Sequence, residues 1–283
     1  MSTSWQPQTT ADGSVTFFSS EFTETFHSSS GARQEAEQKF VIPSGLQAIA
    51  HQREQLTILD VCYGLGYNSA AALETVGAVN PLCRVELLAL ELDGSIPLAA
   101  LDFLSNYSSP VQEHLTRLAN HLEVNTPQFQ ARLNLGDARR TLQKIPVDWQ
   151  ADVIFLDPFS PPKCPQLWTV EFIELVARYL KPQGKLITYS CAGAVRQALV
   201  MARLNIASTP SVGRKSPGTI ASPAILDFPP LTKSEIEYLS TRAAIPYRDA
   251  NLKDDADTII KRRQQEQLSS TLESTKQWQK RWQ

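Results

Sequence analysis

The stretch ILDVCYGLGYNSAAA, residues 58–72, constrains this chain more than any other. An apolar run ends in Asp60, a glycine-spaced turn follows at Gly64 and Gly66, and small residues then open a helix. Strand, turn and helix in that order form the nucleotide-type binding unit of a parallel sheet. A loop passing under a ligand needs positive φ and close backbone approach, which glycine permits, and the helix behind it presents unpaired N–H groups. The third glycine of a dinucleotide fingerprint would fall at Ser69, so the NAD form is incomplete. The same residues also suit a tight β-to-α turn with no ligand, and the stretch alone leaves both readings open.

The chain has 283 residues, room for one large α/β domain or for a domain with appendages. Its formal net charge of -2 argues against nucleic-acid binding by overall electrostatics but leaves room for a local basic face. Cys62, Cys83, Cys164 and Cys191 have no close pairing and no signal peptide precedes them, so they read as reduced thiols in a cytoplasmic protein. His27, His51, His114 and His121 make no ligand spacing with them, and no metal is expected. The longest apolar stretch, LLALELDGSIPLAAL, is broken by Glu91 and Asp93, so no membrane span is expected.

Residues 1–15 are polar and read as a frayed terminus. The segment after them shows no regular pattern until about Gly31, and Phe17, Phe18, Phe22 and Phe26 are expected to pack it on the core; the alternative is a lid over a site. From about residue 44 helix and strand alternate. RVELLALEL (84–92) is apolar almost throughout, as a strand buried on both faces should be, and ends near Glu91, where α/β nucleotide folds accept hydrogen bonds from ribose hydroxyls. Residues 96–123 read as helical with a break near Pro110. QFQARLNLGDARRTL (128–142) then supplies a third strand, with Asp137 at its exit as either a helix cap or an acceptor for an adenine amino group.

ADVIFLDPFSPPK (151–163) is the second informative stretch. Its strand ends at Asp157, and the prolines after it fix an extended loop that holds the carboxylate at the sheet edge beside Phe159 and Lys163. A carboxylate there can accept from a substrate amine and Phe159 can stack on a planar group; the plainer reading is a turn with a packed ring. Downstream come a helix ending at a Lys-Pro-Gln-Gly stop, a fifth strand, a helix over 195–204 and an antiparallel hairpin around GRKSPGTIAS. Thr232 and Glu235 spell a capping box, and the tail from Asp257 is rich in Lys and Arg, suiting either a solvated helix or a nucleic-acid contact.

Several of these motifs together resemble the methyltransferase domain of the MnmC family, which modifies the tRNA wobble uridine. The family's Leu-Asp-Gly-Phe-x-Pro-x-Lys-x-Pro-x-x-Trp stands here as Leu156-Asp157-Pro158-Phe159-Ser160-Pro161-Pro162-Lys163-Cys164-Pro165-Gln166-Leu167-Trp168. Its Ser-Ala-Gly-x-Val-Arg stands as Cys191-Ala192-Gly193-Ala194-Val195-Arg196, its Gly-x-Lys hairpin as Gly213-Arg214-Lys215, and its Gly-x-Gly-x-Asn as Gly64-Leu65-Gly66-Tyr67-Asn68. Ser28, Gly31 and Glu35 match its N-terminal Ser-x-x-Gly-x-x-x-Glu, and Pro246 to Asp249 resembles the Pro-Tyr-Arg-Asp segment of stand-alone members. The likeness spans roughly residues 20–222. Pro158 in place of Gly is a departure, toward the Asp-Pro-Pro-aromatic loop of other amino-group methyltransferases.

The resemblance implies a class I Rossmann-like, S-adenosyl-L-methionine-dependent methyltransferase acting on the aminomethyl group of 5-aminomethyl-(2-thio)uridine, a group that a separate enzyme would prepare. Three parts are expected: a preamble over 1–43, the Rossmann-like domain over 44–231 and a basic helical extension over 232–283. Asp60, Gly64, Gly66, Asn68, Glu91 and Asp137 are then the cofactor residues, and Asp157 and Phe159 the catalytic ones. Lys163, Trp168, Arg196, Arg214, Lys215, Arg248, Lys261, Arg262 and Arg263 are the tRNA-facing set. Removing residues 257–283 is expected to weaken tRNA binding alone. The rivals are a small-molecule N-methyltransferase, a polyamine aminopropyltransferase, and a protein that binds S-adenosylmethionine or tRNA without chemistry.

Overall fold

The computed structural model describes residues 5–211 and 216–282. An N-terminal antiparallel sheet consists of β1 (Trp5–Thr9), β2 (Val15–Ser19) and β3 (Glu24–Thr25). The helical run α1 (Ala32–Glu35), a π-helical turn over Ala36–Val41, α2 (Ile42–Ser44) and α3 (Leu46–Gln52) leads into the main unit. There β4 (Gln55–Val61), α4 (Tyr67–Val79), β5 (Arg84–Glu91), α5 (Ser95–Ala99) and α6 (Ser109–His121) are followed by β6 (Glu123–Asn125), β7 (Phe129–Leu135), α7 (Ala138–Thr141) and β8 (Ala151–Leu156). Then come α8 (Val170–Ala177), β9 (Leu180–Thr188), α9 (Gly193–Met201), β10 (Asn205–Ser208) and β11 (Thr219–Ser222). The helices α10 (Lys233–Tyr238), α11 (Ala256–Ser269) and α12 (Thr275–Trp282) follow.

The eight-stranded sheet has the order β10-β11-β9-β8-β4-β5-β7-β6. Strands β9, β8, β4, β5 and β7 run parallel, and β11 enters antiparallel beside β9. The expected α/β, Rossmann-like sheet is therefore present, with the expected hairpin supplying its reversed strand. Strands are added outward from β4, first on the β5 side and then on the β8 side, so the parallel carboxyl ends of β4, β5 and β8 open into one crevice at that switch point. β4 and β8 are apolar over most of their length because both faces are covered, and every residue of β8 is buried.

Three local differences from the sequence reading have physical causes. The polar N-terminal segment forms a strand: β1 pairs with β2, and the Trp5 ring stacks on buried Phe17 with centroids 4.3 Å apart. Pro7 is tolerated because β1 is an edge strand. The Lys-Pro-Gln-Gly segment lies inside β9, where an irregular register between β8 and β9 absorbs it. Strand β6 pairs antiparallel with β7, a three-residue element too short for periodicity to announce.

Two apolar clusters hold the sheet. One joins Phe17, Phe40, Leu56, Tyr67, Phe129 and Phe155 on the side of the preamble, and the other joins Leu59, Leu156, Trp168, Phe172, Leu199, Tyr247 and Ile259 on the opposite face. Phe17 and Ile259 are both fully buried. The sequence reading of the tail from Asp257 as having too little apolar surface for core is thereby corrected at one position, since α11 plants Ile259 in the second cluster. Deleting 257–283 would open that cluster, so it cannot isolate a tRNA effect as expected.

Candidate active site

Gly64 and Gly66 carry φ of 56° and 81°, and Gly66 is the left-handed cap that starts α4. A Cβ on Gly66 would lie 2.5 Å from the Tyr63 hydroxyl, so close approach as well as conformation demands glycine there. The Gly64 amide donates to Glu91 Oε2 at 2.8 Å, while Glu91 Oε1 accepts from the Leu92 and Asp93 amides at 2.8 and 3.0 Å. Glu91 thus staples the first turn to the second. Burial raises its pKa above the usual carboxylate range, with the backbone donors opposing.

Asp60 ends β4 fully buried, and burial pushes its carboxyl up to about 7 although the Ser69 hydroxyl donates to Oδ2 at 2.6 Å. Its Oδ1 is buried with no hydrogen-bond partner among the described residues. Asn68, also in the first turn of α4, donates from Nδ2 to Asp157 Oδ2 at 2.9 Å and so links the glycine turn to the loop after β8.

That loop is braced on every side. Its amide at Asp157 donates to Val61 O at 3.1 Å, the Tyr189 hydroxyl donates to Pro158 O at 2.9 Å, and Trp168 Nε1 donates to Phe159 O at 2.8 Å. Phe159 stacks on Phe22 with centroids 4.4 Å apart and meets Phe26 edge-on at 4.9 Å. The Ser160 amide donates to Glu24 and the Lys163 ammonium to Thr23. Residues 22–26, in and beside β3, therefore pack against the Asp157 loop.

The crevice contains two adjoining cavities of about 120 and 170 Å³. Gly64, Glu91, Asp157, Phe159, Phe22 and Trp5 line the first; Glu91, Gly136, Asp137 and Arg139 line the second; and Glu21, Cys62, Cys164 and Leu167 border both. Roomier grooves of 430 and 470 Å³ lie elsewhere, around Arg132 and Trp149 and around Gly77 and His114, away from the strand-end acids. Burial lifts the Cys62 thiol well above its ordinary range and the Cys164 thiol to about 12.

Gly64, Glu91, Asp137, Asp157 and Phe159 come together at the crevice, while Asp60, Gly66 and Asn68 support it from behind. Asp137 also caps α7, accepting from the Arg139 amide at 2.9 Å. Arg139, which sequence reading missed, grips Asp137 at 2.8 Å and fully buried Asp249 at 2.9 Å and donates to Asp254 O. Asp249 is 110 residues away, so no local pattern points to it.

The tRNA-facing set is scattered. Trp168 is fully buried as a strut beneath the loop, where its size fills the second cluster. Arg196 is 3% exposed and saturated by Glu235 Oε1 at 2.9 Å, Ser208 Oγ at 2.8 Å and Thr219 Oγ1 at 3.0 Å, so it joins α9 to α10 and presents no guanidinium to phosphate. Arg248 pairs with Glu171 and Arg262 with Asp254, both at 2.7 Å, and Arg263 lies over the Tyr247 ring at 4.6 Å. Lys261 is exposed. Arg214 and Lys215 lie outside the described residues. Among the described residues no helix is long and apolar enough to cross a membrane.

A model of S-adenosyl-L-methionine-dependent methyltransferases matches residues 103–224. The strand order, the glycine turn and the strand-end acids accordingly define a class I S-adenosyl-L-methionine-dependent methyltransferase. MnmC2 from Aquifex aeolicus superposes with a TM-score of 0.84 at 31% identity, over 95% of this chain and 87% of that one. The chain belongs to the family of MnmC-type methyltransferase domains. An uncharacterised protein of Methanocaldococcus jannaschii is 32% identical over 90% of this chain and 70% of its own length. The bifunctional tRNA 5-methylaminomethyl-2-thiouridine biosynthesis protein MnmC of Azoarcus sp. is 31% identical over 70% of this chain and 32% of its own. The chain thus spans about a third of the bifunctional proteins it matches.

The cofactor can be tested against the residues. The crevice offers the acids Glu91 and Asp137 after β5 and β7 beside a glycine turn, where a Cβ on Gly64 would meet the Phe26 ring at 3.4 Å and Cys62 O at 3.8 Å. The buried Asp60 Oδ1 beneath that turn has no hydrogen-bond partner among the described residues. These features fit a zwitterionic amino acid joined to a nucleoside, which is the shape of S-adenosyl-L-methionine.

Proposed function

We propose that this enzyme methylates the primary amine of 5-aminomethyl-(2-thio)uridine at the tRNA wobble position, giving the 5-methylaminomethyl nucleoside. The observation that carries the reading is Asp157, held by Asn68 at the carboxyl end of β8 in the same cavity as Gly64 and Glu91, with the Phe159 ring beside it. The likeness to MnmC proteins supports the choice of nucleoside.

Gly64, Glu91 and Asp137 would hold the cofactor, which supplies an electrophilic sulfonium methyl when bound. Asp157 accepts an N–H of the substrate amine and aligns the nitrogen lone pair on the methyl carbon. The substrate ammonium must first give up one proton, toward Asp157 or water, before its lone pair can attack; the methyl would then pass to nitrogen with the S–C electron pair left on the cofactor sulfur. The methylated ammonium then releases its proton toward Asp157 or water. A carboxylate is a weak base at neutral pH, so alignment is the larger part of what Asp157 contributes. Phe159, with Phe22 stacked on one face, lines the cavity together with Phe22 and Phe26, an apolar wall against which an extruded pyrimidine can pack.

Glu21, Asp93 and Asp157 give the first cavity an acidic lining, which also suits a polyamine. Nucleoside mass spectrometry of tRNA from cells with and without the gene separates the two. Loss of the methyl from the wobble aminomethyl nucleoside supports this reading, and unchanged tRNA nucleosides would refute it. In single turnover, Asp157→Asn is expected to slow methyl transfer at least about 100-fold with cofactor affinity held.

A further inference from the structure

We infer that Asn68 is a positioning residue for Asp157, orienting its carboxylate toward the substrate amine and making no contact of its own with the cofactor. The inference rests on the reading in which Asp157 meets that amine, and it moves Asn68 out of the cofactor set in which the sequence put it.

The two side chains come from turns 89 residues apart and meet at 2.9 Å. Asn68 is 5% exposed, follows Gly66 in the first turn of α4, and lines neither cavity of the crevice. Its neighbour Tyr67 anchors the same turn by donating to Val15 O at 2.9 Å, so the amide is delivered from a fixed helix start.

The backbone of Asp157 is tied to β4 through Val61 O, and because the terminal torsion of an aspartate is broad, side-chain donors set its carboxylate plane. The buried Asn68 amide is such a donor, with one N–H on Oδ2. The chemistry of the donor matters as well. Lys or Arg at this position would neutralise Asp157 and repel an incoming ammonium, whereas a carboxamide donates one proton and leaves the negative charge in place.

The test compares wild type with Asn68→Ala, Asn68→Asp and Asp157→Asn in single-turnover methyl transfer to tRNA carrying 5-aminomethyluridine at saturating cofactor. Cofactor affinity is measured separately by calorimetry. Asn68→Ala is expected to lower the rate at saturation about 10- to 100-fold while cofactor Kd and tRNA KM stay within about twofold. Asn68→Asp keeps the shape without the donor and should lose at least as much, which loss of packing alone would not produce. The Asn68→Ala, Asp157→Asn double variant should be no slower than Asp157→Asn, because both changes disable the same group.

A cofactor Kd raised about tenfold with the saturated rate unchanged would make Asn68 a cofactor ligand and overturn the inference. Full additivity in the double variant would overturn it too. Asp157→Asn at wild-type speed would remove the assignment of Asp157 and this inference with it. A slow Asp157→Asn beside an Asn68→Ala at wild-type speed would remove the inference alone.

Discussion

Asp60 and Glu91 sit side by side at the strand ends as two buried carboxyls of different character. Glu91 spends its oxygens on three backbone amides, whereas Asp60 has one hydroxyl donor and one oxygen without a partner among the described residues. The raised pKa of Asp60, about 7 in the fold against 3.8 ordinarily, carries a sign. Between those values the native state holds a proton that the unfolded chain has released, so stability falls as pH rises through the window. Below it Asp60 costs nothing, and above pH 7 the whole cost of a buried charge is present. Asp60→Asn cannot ionise. Its melting temperature should match wild type near pH 4 and exceed it by at least about 3 °C at pH 8; thermal scans across that range would show a constant gap if Asp60 ionised normally.

Among elements, the decisive joint runs from the exit of β7 to the segment between α10 and α11. Arg139 on α7 spans Asp137 at the crevice and Asp249 in that segment, with its side chain 11% exposed and Asp249 wholly buried. Removing Asp249 leaves the buried guanidinium only partly compensated, by Asp137 at 2.8 Å. Asp249→Asn should therefore destabilise the fold by about 3–5 kcal/mol in urea titration and weaken cofactor binding by loosening Asp137. Unchanged cofactor affinity at a lower urea midpoint would mean that Arg139 supports only the fold. The opposite joint is the stack of Phe22 on Phe159, through which the N-terminal sheet touches the Asp157 loop.

Across the whole molecule the C-terminal extension does two jobs that its sequence blends together. Ile259 is core, and Ile259→Ala should cost about 2–5 kcal/mol by the cavity it leaves, readable as a lower midpoint in chemical unfolding. Lys261, Lys276 and Lys280 are exposed. Replacing those three with Gln should leave stability and cofactor binding alone. It should also flatten the dependence of log tRNA affinity on log salt by about 0.7–0.9 for each phosphate that is no longer neutralised. An unchanged slope would reduce these lysines to solvation. The net charge of -2 makes such local cations the relevant electrostatics.

Alternation of apolar runs, glycine turns and strand-end acids was enough to read the parallel sheet, the crevice edge and the residues Gly64, Glu91, Asp137 and Asp157, because each of those signals is local. A strand buried on both faces must be apolar, and a tight turn under a ligand must use glycine. The antiparallel preamble, the buried ends of Arg196 and Trp168, and the Asn68–Asp157 and Arg139–Asp249 pairs were not legible. Each depends on which distant partner arrives, and a single residue type is equally at home in solvent or in a buried pair until the chain is folded. An arginine looks like a phosphate ligand in sequence; Glu235, Ser208 and Thr219 make Arg196 a rivet. Local patterning therefore settled the architecture and the acids of the crevice, and only packing at long range decided which side chains hold them in place.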